Sequence, residues 1–172
     1  MNLLLDTGKV NVDSKDSNSR TPLSRGAVNG HDSVVKLLLD TRKVYVDSKD
    51  SQNNANPLTR ATVIGHDAVV ELLLGTENVD VDVQRDFNSR KPLLAAGNGY
   101  DSVMKLFLDT GKVDVESKDS NGCTPLPWAA LYGRKAIVDF WGRLGPKKAD
   151  IVSDDCDSCQ TLLSLWMSTI LP

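Results

Sequence analysis

Thr21-Pro22-Leu23, Asn56-Pro57-Leu58, Lys91-Pro92-Leu93 and Thr124-Pro125-Leu126 are four spellings of one tripeptide. Their prolines step by 35, 35 and 33 residues. A glycine follows each at a near-fixed distance: Gly30, Gly65, Gly99 and Gly133. Beyond each glycine runs an apolar stretch: Val34 to Leu39, Val69 to Leu74, Val103 to Leu108, and Ile137 to Trp141. A period near ~34 residues predicts a stacked solenoid, stabilised by contacts between neighbouring units rather than by one central core.

Each unit spells out its own turns. Thr21 is a natural N-cap, and Pro22 at the first helical position loses no hydrogen bond. Ser24 to Asn29 completes a short helix, and Gly30 ends it in a left-handed conformation. Asp32 is placed to cap a second helix from Ser33 to about Thr41. Its apolar stripe is too wide for one covered side, so neighbours must stack on it. Lys43-Val44-Tyr45-Val46-Asp47-Ser48-Lys49-Asp50 then repeats at Lys9–Asp16 and Lys112–Asp119, with a looser copy at Asn78–Val83. Alternating valines predict an extended segment, folded by the following turn residues into a finger.

These motifs together resemble the ankyrin repeat. The Leu-Leu-Leu-Asp-Thr phrasing is most similar to arrays in filamentous fungal proteins. The resemblance covers essentially residues 2–144. It implies an all-α helix-turn-helix solenoid with short hairpin-like fingers between repeats. The expected division is a partial repeat at 1–15, full repeats at 16–50, 51–85, 86–118 and 119–152, and a partial repeat or cap at 153–172. Family members usually carry a His after Pro-Leu that ties neighbouring repeats. Ser24, Thr59 and Pro127 stand there, so that tie is expected to be lost. Gly26 in mid-helix, and Arg25 and Arg60 where unit four has Trp128, are expected to weaken the stack; the arginines would have to snorkel. Unit three is one residue short between Leu93 and Ala95, a loss expected to be absorbed in its first helical turn.

Function follows as a non-catalytic protein–protein interaction module with a concave surface. The resemblance implies contact positions at the finger tips and in the two residues before each helix-ending glycine. They are Ser17, Asn18, Arg20, Val28 and Asn29; Ser51, Gln52, Ala55, Val63 and Ile64; Phe87, Asn88, Arg90, Gly97 and Asn98; and Ser120, Asn121, Cys123, Leu131 and Tyr132. An extra residue at Asn53-Asn54 leaves the register of the second finger open. Val63, Ile64, Phe87, Leu131 and Tyr132 are apolar at nominally exposed sites, the pattern of interface anchors. Two other readings stand beside this one: a fragment or degenerate remnant of a longer array with no independent function, and a Cys-x-x-Cys metal or redox protein.

Composition supports the first reading. A net charge of −3 without a Lys/Arg cluster argues against nucleic acid. Three cysteines make no disulfide framework. No apolar run reaches membrane-span length, and Met1 to Asp6 has no basic leader region, so the expected setting is intracellular, cytoplasmic with the nucleus left open. No cofactor or metal is expected. Cys156-Asp157-Ser158-Cys159 lacks two further zinc ligands nearby and any βαβ context. Gly8-Lys9 and Gly111-Lys112 lack the rest of a phosphate loop. His31 and His66 read as turn residues that bond neighbouring backbone. Asp13, Asp16, Asp47, Asp50, Asp114 and Asp119 could form an acidic ridge, but interleaved Lys15, Lys49 and Lys118 favour a solvated mixed-charge edge. The apolar segment Leu162 to Leu171 around Trp166 reads as an end cap whose exposed remainder would promote self-association, with a partner-binding or membrane-touching helix as the alternative.

Overall fold

The computed structural model describes residues 10–81, 97, 99–111, 114, 117, 118, 122, 124–135, 138 and 139. Its helices are α1 (Pro22–Val28), α2 (Asp32–Asp40), α3 (Pro57–Ile64), α4 (Asp67–Leu74), α5 (Asp101–Asp109) and α6 (Pro125–Leu131). Each lies within a residue or two of its expected place. Residues 1–9 of the first partial repeat, the C-terminal partial repeat, most of the shortened helix of unit three, the Cys-x-x-Cys and the Trp166 segment lie outside the described residues.

Local chemistry sets the helix ends. Thr21 Oγ1 accepts the Ser24 amide at 3.2 Å, and Asn56 Oδ1 accepts the Thr59 amide at 2.8 Å. Gly30 and Gly65 take φ of 67° and 83°, the left-handed conformation that ends a helix. Asp32 departs from its expected role: His31 occupies the cap position, and Asp32 is the first helical residue. Its carboxylate there faces the positive end of the helix dipole instead of bonding an amide.

Two layers stack along the array. First helices pack on first helices (α1 on α3), second helices on second helices (α2 on α4, α4 on α5), and each pair closes as a hairpin. The core runs through Leu23, Val35, Leu58, Val70, Leu73, Val103, Met104 and Phe107, all fully buried. Helix α4 has neighbours on both sides, and it buries Val69, Val70, Leu73 and Leu74. Helix α2 buries only Val35 and Leu38 and leaves Val34 exposed. Its wide stripe is therefore covered less fully than expected.

Gly26 has a packing reason. A Cβ there would stand 3.1 Å from Val35 Cγ2. The equivalent residues, Ala61 and Ala129, are buried with a Cβ at the same step of the repeat. Because the hairpin tolerates alanine elsewhere, Gly26→Ala is expected to raise stability. Helix propensity contributes about 1 kcal/mol, and the tight contact should take back roughly half of it. Urea unfolding of the variant checks the sign.

The fingers are not strands; no strand occurs among the described residues. Val44 and Val46 point toward the core, as do the buried Val79 and Val81, but the chain bends at once into turns. A period-2 pattern arises here from a bent segment laid against the helix ends, not from pairing.

Candidate functional site

The two fingers that the described residues complete are each built around one carboxylate. Asp16 Oδ1 accepts the amides of Asn18 (2.8 Å) and Arg20 (2.9 Å), and the Asp16 amide donates to Arg20 O at 3.0 Å. Asp50 repeats the device: Oδ1 accepts from Asn53 (3.0 Å) and Ala55 (3.4 Å), and its amide donates to Ala55 O at 3.1 Å. The left-handed residue of the tip is Ser19 in one finger and Asn54 in the other. The extra residue of unit two therefore falls inside the tip, and Ala55 takes the place of Arg20.

The arginines of the first helices complete these turns. Arg25 Nε donates to Asp16 Oδ2 at 2.8 Å, and Arg60 Nε donates to Asp50 Oδ2 at 2.9 Å, with Arg60 Nη2 on the same oxygen. The expectation that they would snorkel is corrected, because each lies beside a carboxylate 9 or 10 residues back. Both aspartates are held below the ordinary carboxylate value of 3.8. For Asp16 the chief cause is the Arg20 amide, aided by the Asn18 amide and the Arg25 guanidinium. For Asp50 burial pushes upward, but the Asn53 amide, the Arg60 guanidinium and the Ala55 amide together outweigh it.

Adjacent units are clipped by a second carboxylate series. Asp13 accepts the Tyr45 amide at 3.0 and 3.1 Å, and Asp47 accepts the Asp80 amide at 3.1 and 3.2 Å. Asn56 Nδ2 donates to Asp47 Oδ1 at 3.0 Å, and Ser51 N donates to Asn18 O at 3.0 Å across the two fingers. The mixed-charge-edge reading thus gives way for Asp13, Asp16, Asp47 and Asp50, which act as backbone acceptors. The tie expected to be lost with the family histidine is replaced by Asp47 and Asn56. The roles of Asp13 and Asp47 were missed because their partners lie 32 or 33 residues away, whereas those of Asp16 and Asp50 are local turns within five residues. The visible signal was the recurrence of Asp at one step of the repeat.

His66 behaves as a turn residue should. Its Nε2 donates to Val28 O, 3.1 Å away in the preceding unit, and its ring covers Gly30, where a Cβ would stand 2.7 Å from Nδ1. Tyr100 covers Gly65 in the same way, and Arg134 covers Gly99 at 2.9 Å.

The contact positions fall on this frame. Ser17, Ser51 and Gln52 are exposed at the finger tips, with Asn18 and Arg20 half-buried beside them. Arg20 Nη2 donates to Gln52 Oε1 at 2.6 Å, joining the two tips. Along the helix ends, Asn29, Val63, Ile64 and Tyr132 are exposed, and Val28 is half-buried. Tyr132 stacks on Trp128 with ring centroids 6.1 Å apart and 15° between planes. Two positions are corrected. Ala55 is 3 % exposed because it closes its finger, and Gly97 is buried against Met104 and Trp128. Phe87, Asn88, Arg90, Asn98, Ser120, Asn121 and Cys123 lie outside the described residues, as does the Leu131 side chain.

No helix among the described residues is long and apolar enough to cross a membrane. Comparison with curated proteins finds no match. The family model for ankyrin repeats, in three copies, matches residues 1–85 and again residues 58–155. Those matches span most of the chain and agree with its capped helix pairs, left-handed glycines and clipped fingers, so the chain belongs to the ankyrin repeat family.

Proposed function

We propose that this chain is a non-catalytic binding module, and that it holds a protein partner on its finger tips and first-helix ends. Ankyrin repeats are generally protein–protein interaction modules. The observation that carries the finer reading is the row of exposed apolar side chains, Val63 and Ile64 in one unit and Tyr132 further along. They stand at the same step of the repeat, and the polar tips Ser17, Asn18, Arg20, Ser51 and Gln52 supply the hydrogen-bonding groups of the proposed surface. An apolar row edged by hydrogen-bonding groups suits a protein interface with aromatic anchors. Tyr132 is the strongest candidate anchor, because stacking on Trp128 limits the side-chain freedom it would lose on binding. The setting that goes with this reading is intracellular, cytoplasmic or nuclear, with self-association through the apolar C-terminal segment as a further property to test.

Tyr132→Ala is expected to weaken a captured partner by about 2 kcal/mol, roughly 30-fold in Kd, with helical circular dichroism unchanged. Affinity capture with the whole chain, quantified against Tyr132→Ala and the pair Val63→Ser, Ile64→Ser, tests it. Equal retention of the same partner by all three proteins would remove this surface from consideration.

A further inference from the structure

The glycine that ends each first helix is fixed by geometry, whereas the residue before it is not. Gly30, Gly65 and Gly133 take φ of 67°, 83° and 66°, and a Cβ at Gly30 would stand 2.7 Å from the His66 ring. The residues before them are Asn29, Ile64 and Tyr132, so the step accepts very different side chains. Unit one thereby joins an asparagine directly to an obligatory glycine.

That pairing carries chemistry. The side-chain carbonyl carbon of an asparagine lies one ring closure away from the next backbone nitrogen, and a following glycine has no Cβ to block the approach. Asn29 is exposed, so water and base reach it. The Gly30 amide, which would be the nucleophile, is loosely held, 3.5 Å from Ala27 O. Restraint comes from the cap. Asn29 Nδ2 donates to Arg25 O at 2.8 Å, the Asn29 backbone amide donates to the same oxygen at 3.2 Å, and ψ is held at 1°. Ring closure therefore requires the last turn of α1 to open. Such local opening costs far less than global unfolding. The hairpin of unit one is also the less buried of the first two: α2 buries two side chains and α4 buries four.

We propose that Asn29-Gly30 is a self-modification site. Gly30 N gives its proton to solvent base and bonds to Asn29 Cγ, the Cγ–Nδ2 bond breaks, and ammonia leaves a succinimide ring. Water then opens one of the two ring C–N bonds. Opening at Cγ gives aspartate; opening at the main-chain carbonyl carbon gives isoaspartate. No oxidant or reductant takes part. Either product loses the donor to Arg25 O and puts a carboxylate at the negative end of the α1 dipole. Isoaspartate also lengthens the backbone by a methylene and displaces Gly30 from beneath His66, whose Nε2 reaches Val28 O across the unit boundary. The reaction thus loosens the junction of units one and two. Asn29 is also a contact position, and an effect of the new charge on a partner rests on the function proposed above; the reaction itself does not.

The test is prolonged incubation of the whole folded chain in mildly alkaline buffer, then trypsin digestion, mass spectrometry and labelling by isoaspartyl methyltransferase. Cleavage after Arg25 and Lys36 isolates residues 26–36, which hold no other asparagine. This peptide should gain the mass of amide-to-acid conversion and take the label, about tenfold more slowly than in the urea-unfolded chain, because the cap restrains it. Asn29→Ile, which copies unit two, should show neither change. The product, separated by its extra negative charge, should unfold at lower urea than the parent. The proposal would be overturned by a native chain that stays unconverted while the unfolded chain converts, by label that persists in Asn29→Ile and so belongs to Asp32, or by a product with the parent's midpoint. Partner capture indifferent to Tyr132→Ala would remove the surface reading and leave this reaction standing.

Discussion

Asp50→Ala is expected to lower the unfolding free energy by about 3 kcal/mol, because it strands several groups at once. The carboxylate is 5 % exposed, and it satisfies the amides of Asn53 and Ala55 and the guanidinium of Arg60. Asp50→Asn keeps the shape and one acceptor oxygen, so it should cost less, about 1–2 kcal/mol. The same site sets a pH dependence. A carboxylate whose folded pKa is depressed stabilises fully above its unfolded value, here 3.8, and that stabilisation disappears as pH falls through the folded value. Asp16 acts with the same sign. Urea midpoints followed at 222 nm should therefore hold between about pH 7 and pH 5 and fall below about pH 4. The fall should be shallower in Asp50→Asn. A parent midpoint unchanged down to about pH 2.5 would show that the finger carboxylates are not the groups protonated on unfolding.

Leu58→Ala should cost about 3–4 kcal/mol. The side chain is 0 % exposed, and its helix α3 packs on both α1 and α4. Because each unit rests only on its neighbours, a hole in the second unit loosens the coupling on both of its sides. The expected signature is a broadened or two-step urea transition, not a uniform shift. Val34→Ala, at an exposed position of the neighbouring unit, should change stability by no more than about 0.5 kcal/mol. A sharp single transition displaced by less than about 1 kcal/mol in Leu58→Ala would contradict this assignment of the core.

Helix positions and ends were legible because their determinants are local. Thr21, Asn56, Pro22, Pro57, Gly30 and Gly65 act on amides and carbonyls within one turn, so their spacing alone places them. Asp13 and Asp47 were not legible, since a carboxylate looks the same whether it meets water or an amide 32 or 33 residues away. The arginines at 25 and 60 misled for the same reason: without the returning finger, a cation on a helix face has no visible partner. Within the candidate surface, Val63, Ile64 and Tyr132 came from the family resemblance, placed by the step of the repeat, and are exposed. Ala55 failed because closing the second finger turns its short side chain inward.

In three successive units one glycine lies beneath a side chain of the next: an imidazole over Gly30, a phenol over Gly65, a guanidinium over Gly99. A seat without a side chain takes three quite different occupants, so this contact does not match a unit to one successor. At this seat a copy can be duplicated, deleted or reordered without a compensating change next door.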